Sequence, residues 1–276
     1  MTKIRGLWLV FLILQSSAVT AQSAMPTTNV FTRVLMVESQ YGKGSVFSID
    51  VDKREYWITA KHILTGAEHP PYGSVTAKSV SLQVLDPGSP GEKWIPITFS
   101  VIDAGVDIDI VVLAPPQPLL KDPLPSVPAD SAGQFLGGDC EFLGFPYGGG
   151  WRAKLSGGKS YWMPYVKHCT VSAFTSEGNK FWVLDGINNG GFSGGPVIFR
   201  TGPDQRIMAV ISGYILEPTD VISSAKAKSA TKRPKTSATP TKEKVNLNSG
   251  FIIAYDISFA IEAIHKNPIG PLRPAN

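Results

Sequence analysis

The sequence predicts an all-β fold built in two halves. Short apolar runs separated by turn residues recur along most of the chain, a pattern typical of β-barrels and β-sandwiches. The 276 residues include 27 glycines and 22 prolines, which favour turn-rich β structure over a helical bundle. Because 43% of the residues are hydrophobic and 17% are charged, the chain can bury a sizeable core and does not have the composition of a disordered protein.

Residues 1–21 are typical of a secretory signal peptide. Lys3 and Arg5 precede an apolar run at 7–14, and small residues at 19–21 form a cleavage site. An apolar helix of that length rises about 12 Å, well short of a hydrocarbon core of about 30 Å. We therefore expect cleavage after Ala21, export to a periplasm or to the outside of the cell, and no stable membrane anchor.

Residues 28–113 are predicted to form the first β half. Its apolar runs lie at 31–37, 44–49, 55–60, 80–85, 94–101 and 108–113. A proline-rich segment follows at 114–128, where proline removes backbone hydrogen-bond donors and stiffens the chain. We interpret this segment as a linker between two β domains.

Residues 129–265 are predicted to form the second β half, with residues 266–276 as a tail. Apolar runs broken by glycine clusters indicate strands between 135 and 215 and a last strand at 250–255. A short amphipathic helix is expected at 258–265.

A basic tract interrupts the second half at 222–244. It is rich in Ser, Thr, Ala and Pro and carries seven basic side chains and one acidic side chain, so we expect a disordered, solvated loop. Its charge alone could attract nucleic acid or an anionic surface. Because the tract has no aromatic residue to stack on bases, we expect no specific nucleic-acid partner.

The chain has two cysteines, Cys140 and Cys169. Two are too few for a disulfide-dense scaffold or a zinc cluster. Both lie in strand-like apolar runs, where they either face each other as a disulfide or are buried as free thiols. Export to an oxidising compartment favours the disulfide.

The strongest chemical signal is a serine in a glycine-rich segment at 188–197. Ser193 lies among four glycines, just before an apolar run. Glycines allow a tight turn in which backbone N–H groups face a developing oxyanion and the serine hydroxyl stays accessible. A plain glycine-rich turn with an incidental serine is the alternative.

A nucleophilic serine needs a base that is held by a carboxylate. His62 follows a predicted strand, where its side chain can project into a cleft. The other histidines occupy a proline turn, a charged strand and the terminal helix: His69, His168 and His265. Asp107 and Asp109 stand at the start of an apolar strand, where a buried acid is costly unless it has a partner.

Three blocks, in this order, resemble the catalytic blocks of trypsin-like serine peptidases. They are Thr-Ala-Lys-His-Ile at 59–63, Asp-Ile-Val-Val-Leu at 109–113 and Gly-Phe-Ser-Gly-Gly-Pro at 191–196. The likeness covers about 30–264 and is greatest with the bacterial HtrA-like branch, without its PDZ domain. It implies two six-stranded antiparallel β-barrels with the active site between them.

The same resemblance implies a serine endopeptidase that hydrolyses protein or peptide substrates through an acyl-enzyme, with no metal or organic cofactor. Ser193 matches the nucleophile, His62 the general base and Asp109 the orienting acid, with Asp107 as the fallback. The N–H groups of Gly191 and Ser193 match the oxyanion hole. The matched substrate-binding positions are Ile187, Phe192, Ser212, Gly213 and Tyr214.

Two of those positions bear on specificity. If Ile187 lines the pocket, an apolar residue before the scissile bond is favoured over Lys or Arg. Phe192 replaces the asparagine or other polar residue that is usual before the serine, and this change is expected to alter the mouth of the site or the oxyanion loop.

Two other readings remain. The Gly-x-Ser-x-Gly pattern at 191–195 also matches the nucleophile elbow of α/β-hydrolases, with Asp220 and His265 following in order, but that elbow needs a helix straight after the serine and Gly-Gly-Pro breaks one. The more serious alternative is a non-catalytic or latent binding protein on a peptidase fold, acting through its cleft or its basic loop.

Overall fold

The computed structural model describes residues 26–120, 125–154, 160–175, 180–222 and 242–274. The predicted signal peptide at 1–21 and the middle of the predicted basic loop, 223–241, lie outside these residues. Within the described ranges, no helix combines the length and the apolar character needed to cross a bilayer.

The first barrel is antiparallel and closed by six strands. A helical turn, α1 (Thr28–Phe31), precedes them, and a second, α2 (His62–Thr65), follows the third strand. The strands are β1 (Val34–Ser39), β2 (Gly42–Val51), β3 (Arg54–Thr59), β4 (Ser79–Leu85), β5 (Trp94–Asp103) and β6 (Val111–Ala114). Their order is β1-β2-β3-β6-β5-β4, and β1 pairs with β4 to close the barrel.

The second barrel is also closed by six strands. In chain order the next strands are β7 (Asp139–Gly144), β8 (Trp151–Lys154), β9 (Ser160–Met163), β10 (Tyr165–Phe174), β11 (Phe181–Asp185), β12 (Pro196–Thr201), β13 (Asp204–Ile222) and β14 (Lys242–Asp256). A 3₁₀ turn at Pro146–Gly148 follows β7, and α3 (Ser258–Lys266) follows β14. The barrel order is β10-β11-β14-β13-β12-β7, while β8 and β9 form a separate hairpin. The all-β prediction with two six-stranded barrels and a C-terminal helix is confirmed.

Three predicted boundaries differ from the structure. Phe31 belongs to the helical turn before β1, so the run at 31–37 is only partly a strand. The run at 108–113 becomes a strand only at Val111. The basic loop is narrower than predicted, because Ile222 pairs with Lys242 and Val221 pairs with Glu243 at the ends of β13 and β14.

One apolar cluster joins the two barrels. A single cluster of buried side chains runs from Phe47 and Ile58 of the first barrel to Leu143 and Val210 of the second. Burial of this shared surface fixes the barrels against each other, since apolar contact removed from water stabilises at about 25 cal/mol per Å². The junction between the barrels is therefore a packed, defined surface.

A disulfide joins two paired strands of the second barrel. Cys140 of β7 and Cys169 of β10 lie directly opposite each other, with 5.0 Å between their Cα atoms. Both side chains are buried in the core of the second barrel. The bridge closes 29 residues of chain.

The segment after α3 returns to the first barrel. The N–H of Glu55 donates to the carbonyl of Pro271 at 3.0 Å, and Leu272 forms a β-bridge with Arg54. Arg273 Nη1 lies 2.9 Å from the carboxylate of Glu55. The described part of the predicted tail, up to residue 274, is therefore packed against β3.

Candidate active site

Strand pairing brings His62 and Asp109 together. His62 begins α2 three residues after β3 ends, and Asp109 lies two residues before β6. Because β3 and β6 pair, with Thr59 opposite Val111, the two side chains meet at the same end of the first barrel. Asp109 Oδ1 accepts the backbone N–H of His62 at 2.8 Å, and Asp109 Oδ2 lies 2.7 Å from His62 Nδ1.

Burial separates the two candidate acids. Asp109 is fully buried, whereas Asp107 lies in an exposed turn. A buried carboxylate is stable only when hydrogen bonds replace its hydration. Asp109 has such partners on both oxygens, and it is the acid that the fold directs to His62.

Two hydrogen bonds made by Ser212 connect the serine loop to the same acid. Ser212 of β13 donates its hydroxyl to Asp109 Oδ2 at 2.5 Å. Ser193 donates its hydroxyl to the carbonyl oxygen of Ser212 at 3.1 Å, and not to His62, among the described contacts. The catalytic hydrogen bonds of enzymes without substrate are often unformed or poorly aligned. Ser193, Ser212, Asp109 and His62 thus form one connected cluster between the barrels.

The serine loop of the second barrel is pressed against the first barrel. Ser193 O accepts the N–H of Ser45 in β2 at 2.8 Å. At Gly194, where φ is +81°, a Cβ atom would lie 2.2 Å from both Ser45 O and Thr59 Oγ1. Only glycine fits this contact, so the glycine after the serine lets the nucleophile approach the strand that leads to His62.

The loop before the serine presents two free donors. Gly191 has a φ of +102°, and a Cβ atom there would lie 2.2 Å from Phe145 O. Within the described residues, neither the N–H of Gly191 nor that of Ser193 donates a hydrogen bond. Two unpaired N–H groups beside a serine hydroxyl are what an oxyanion hole requires.

Ser45 supports this loop and is a residue that sequence reasoning missed. Its hydroxyl donates to Gly191 O at 2.7 Å and accepts the N–H of Phe145 at 3.1 Å. Ser45 is fully buried in β2. A serine inside an apolar strand was the available signal, because a buried hydroxyl needs partners.

Replacing Ser45 with Ala is expected to lower the free energy of unfolding by about 1–3 kcal/mol, since Gly191 O and the Phe145 N–H are then buried without this partner. Urea denaturation followed by tryptophan fluorescence measures the change. Ser81 lies exposed on β4, so Ser81→Ala is the matched control and should stay within about 0.5 kcal/mol of the parent. Equal stability of the two variants would contradict the role of Ser45.

The matched substrate-binding residues separate into two groups. Ser212, a member of the cluster, and Gly213, which follows it, lie in β13. The carbonyl of Gly213 accepts Asn188 Nδ2 at 3.3 Å. Ile187 and Tyr214 are exposed, with 53% and 37% of their surface accessible. These two side chains are therefore free to contact a ligand.

Phe192 is placed differently from the prediction. Its side chain is fully buried and packs edge-to-face on Phe142, with 4.9 Å between the ring centroids. It fills the core of the second barrel, because an apolar ring at this point of the loop gains more from burial than from a place at the rim. The prediction that Phe192 contacts substrate is wrong for its side chain.

Two tyrosines, also missed from the sequence, lie beneath the cluster. Tyr72 OH is 3.4 Å from Ser212 Oγ, and Tyr255 OH donates to Tyr72 OH at 3.5 Å. Burial raises the pKa of Tyr255 well above its ordinary value, and the nearby Tyr72 and Asp109 raise it further. Tyr255 therefore stays a neutral hydrogen-bond donor behind the acid.

The remaining histidines with a described contact are exposed and lie near exposed aspartates. His168 Nε2 lies 3.4 Å from Asp139 Oδ1, and His265 Nε2 lies 3.8 Å from Asp52 Oδ2. The α/β-hydrolase reading is wrong, because β12 (Pro196–Thr201) and not a helix follows Ser193.

Among the comparisons with known proteins, structural similarity supports the fold and sequence similarity does not. No protein-family model matches the sequence, and no curated protein matches it. The HtrA-type protease AlgW with a tripeptide has a TM-score of 0.50 and 17% identity, over 87% of this chain and 63% of that chain. A variant of AlgW with a tripeptide has the same TM-score and 16% identity, over 87% of this chain and 62% of that chain.

A thermostable serine protease, AL20, from an extremophilic microorganism has a TM-score of 0.47 and 14% identity, over 84% of this chain and 93% of that chain. This chain spans 62–63% of the length of the AlgW chains it matches. Two closed six-stranded barrels, together with the AlgW likeness, define the architecture. The chain has the chymotrypsin-like double-barrel fold of the HtrA-type serine proteases.

Proposed function

We propose that the protein is a serine endopeptidase that cleaves protein or peptide substrates. The observation that carries this proposal is the cluster in which buried Asp109 holds His62 and is linked through Ser212 to Ser193. The N–H groups of Gly191 and Ser193, which have no acceptor among the described residues, support it.

In this proposal Ser193 Oγ attacks the scissile carbonyl carbon while His62 Nε2 takes the hydroxyl proton. Asp109 accepts the hydrogen bond of Nδ1–H, which fixes the tautomer with Nε2 free to accept and stabilises the imidazolium. The N–H groups of Gly191 and Ser193 stabilise the tetrahedral oxyanion. His62 then protonates the leaving amine. In the second half, water gives a proton to His62 and attacks the acyl carbon, and His62 returns the proton to Ser193 Oγ as the acid product leaves.

The substrate class follows from the strand beside the serine. An extended peptide can add to the edge of β13 at Ser212, Gly213 and Tyr214, where backbone hydrogen bonds provide affinity and side-chain pockets provide choice. The exposed side chain of Ile187 favours an apolar residue before the scissile bond. The AlgW structures contain a tripeptide, which agrees with a peptide or protein substrate.

The test is covalent labelling of the purified protein with a fluorophosphonate. We expect one adduct by intact mass, absent in Ser193→Ala and strongly reduced in His62→Ala, because the probe reacts with a serine that a base activates. Ser81→Ala, an exposed serine on β4, is the matched control and should label like the parent. Adduct formation in Ser193→Ala would show that another residue reacts.

A latent or non-catalytic peptidase-fold protein is the second candidate. Among the described contacts, the hydroxyl of Ser193 donates to Ser212 O and not to His62, which is the observation that favours this candidate. A folded parent protein that fails to label would support this candidate, and binding of peptides to the cleft would then be measured with the Ser193→Ala variant.

Export remains part of the proposal, on the strength of the residues at 1–21. Mass spectrometry of the protein expressed with residues 1–21 tests it, with a mature chain that begins at Gln22 as the expected product.

A further inference from the structure

Lys167 of β10 reaches the loop that carries the nucleophile. It lies opposite Phe142 of β7 in the barrel wall. Its Nζ donates to the carbonyl of Ile187 at 2.6 Å and to Asn189 Oδ1 at 2.6 Å. One ammonium therefore ties two points of the loop at 187–193 to the wall of the second barrel.

The same ammonium also lies against the residue before the serine. Its nitrogen is 5.5 Å from the centroid of the Phe192 ring, a separation at which a cation is attracted to an aromatic face. Phe192 is fully buried. Lys167 thus contacts residues on both sides of Gly190 and Gly191, the two glycines that precede Phe192.

Those glycines make the loop dependent on outside contacts. Glycine loses more conformational freedom on ordering than any other residue. Within the loop, Asn189 O accepts the N–H of Phe192 at 3.2 Å. Outside the loop, Asn189 Nδ2 donates to Tyr147 OH at 3.0 Å. Tyr147 is highly exposed. Of the two side chains that bind the Asn189 amide, Lys167 is the one that belongs to the barrel wall.

The setting of Lys167 matches this task. Among the described residues, no carboxylate forms an ion pair with it. Partial burial lowers the pKa of its ammonium, since the charged form is less well solvated there. The groups that compensate the charge are the loop carbonyl, the Asn189 amide oxygen and the aromatic face.

We propose that Lys167 is a positioning residue that holds the loop at 187–193 in the conformation in which the N–H groups of Gly191 and Ser193 face the substrate carbonyl. The proposal rests on the peptidase function proposed above. It adds a determinant of activity that lies outside the Ser193, His62 and Asp109 cluster.

The test compares Lys167→Met, Lys167→Arg and the parent. Met keeps an unbranched side chain without the charge, and Arg keeps a cation with several donors. Lys266, exposed at the end of α3, provides the control Lys266→Met. The readouts are kcat and KM on a peptide substrate selected from a library, and hydrogen–deuterium exchange of the segment 187–195.

We expect Lys167→Met to lower kcat by about 10-fold or more, because loss of an oxyanion donor costs about 10²–10³ in kcat and a misplaced donor costs part of that. KM should change far less, exchange of 187–195 should become faster, and Lys167→Arg should recover most of kcat. Lys266→Met should behave like the parent in both measurements.

Two outcomes overturn the proposal. One is unchanged kcat and unchanged loop exchange in Lys167→Met. The other is a loss that Arg does not recover and that comes with faster exchange throughout the second barrel, which indicates a general role in stability. If the parent neither labels with fluorophosphonate nor cleaves peptides, the peptidase proposal fails. Hydrogen–deuterium exchange still tests the role of Lys167 in that case, because faster exchange confined to 187–195 in Lys167→Met would show that Lys167 holds the loop.

Discussion

Asp109→Asn is expected to lower kcat by about 10⁴-fold, the scale of loss when the orienting acid of a serine–histidine pair becomes an amide. The carboxylate of Asp109 accepts hydrogen bonds from the His62 backbone and from Ser212, and it faces His62 Nδ1. An amide has one accepting oxygen for these donors. Its NH₂ group turned to Nδ1 would force the tautomer that carries the proton on Nε2, and His62 could then no longer accept the proton of Ser193.

Steady-state hydrolysis of a library-selected peptide measures this loss. Asp107→Asn is the matched control, because Asp107 is two residues away and exposed, and it should keep nearly the full rate. Circular dichroism should show the same β content in all three proteins. A large loss in Asp107→Asn with little loss in Asp109→Asn would reverse the assignment of the acid.

Arg273→Met is expected to lower the free energy of unfolding by about 3–5 kcal/mol at neutral pH, the range for a buried ion pair that loses one partner. Arg273 Nη1 lies 2.9 Å from Glu55 Oε2, and its Nε donates to Asp50 Oδ1 at 3.0 Å. Glu55 is fully buried. Without the guanidinium, the close partners of its charge among the described residues would be the indole N–H of Trp57 and the backbone N–H of Leu119.

The loss should depend on pH in a defined direction. Burial raises the pKa of Glu55 by more than Arg273 and the hydrogen bonds to the carboxylate lower it. The folded protein therefore binds this proton more readily than the unfolded chain does. The penalty for the buried charge is therefore present above the folded-state pKa and is relieved as pH falls through it. Removing Arg273 raises that pKa further, and the gap between Arg273→Met and the parent should shrink as pH is lowered from 7.5 towards 5.

Urea denaturation at these two pH values measures the effect. Arg206→Met removes an arginine from a partly exposed pair with Asp130 and should cost about 1 kcal/mol or less at both pH values. The double variant Arg273→Met with Glu55→Gln should recover most of the loss, because no unpaired charge is then buried. A pH-independent loss that the double variant does not recover would show that packing, and not charge, explains it.

Local patterns were enough to predict much of the fold and the candidate site. Short apolar runs indicated two sets of strands because side chains of a strand alternate between core and surface. Ser193 in its glycine turn, His62 after a strand and an acid before an apolar strand were each visible within a few residues. Gly194 is visible in the sequence, but the reason for a glycine there is a long-range contact. A Cβ atom would clash with Ser45 and Thr59 of the first barrel.

Contacts between distant parts of the chain decided the rest. Pairing of β3 with β6 directs Asp109, and not Asp107, to His62. Phe142 is the partner that draws Phe192 into the core. The resemblance already preferred Asp109 to Asp107, and the strand pairing gives the physical reason for that choice. The burial of Phe192 was not predicted, because a phenylalanine beside a motif suits either a buried or an exposed place.

The sequence by itself determined the fold class, the two β halves and the residue types of the candidate site. Only the tertiary structure decided which side chains support that site and which buried charges are paired. Ser45 meets Gly191 across 146 residues of sequence, and Arg273 meets Asp50 across 223 residues. Lys167 meets its loop through the register of the second barrel. Periodicity reports which residues are buried, whereas the partner of a buried polar group depends on which strands pair and in what register.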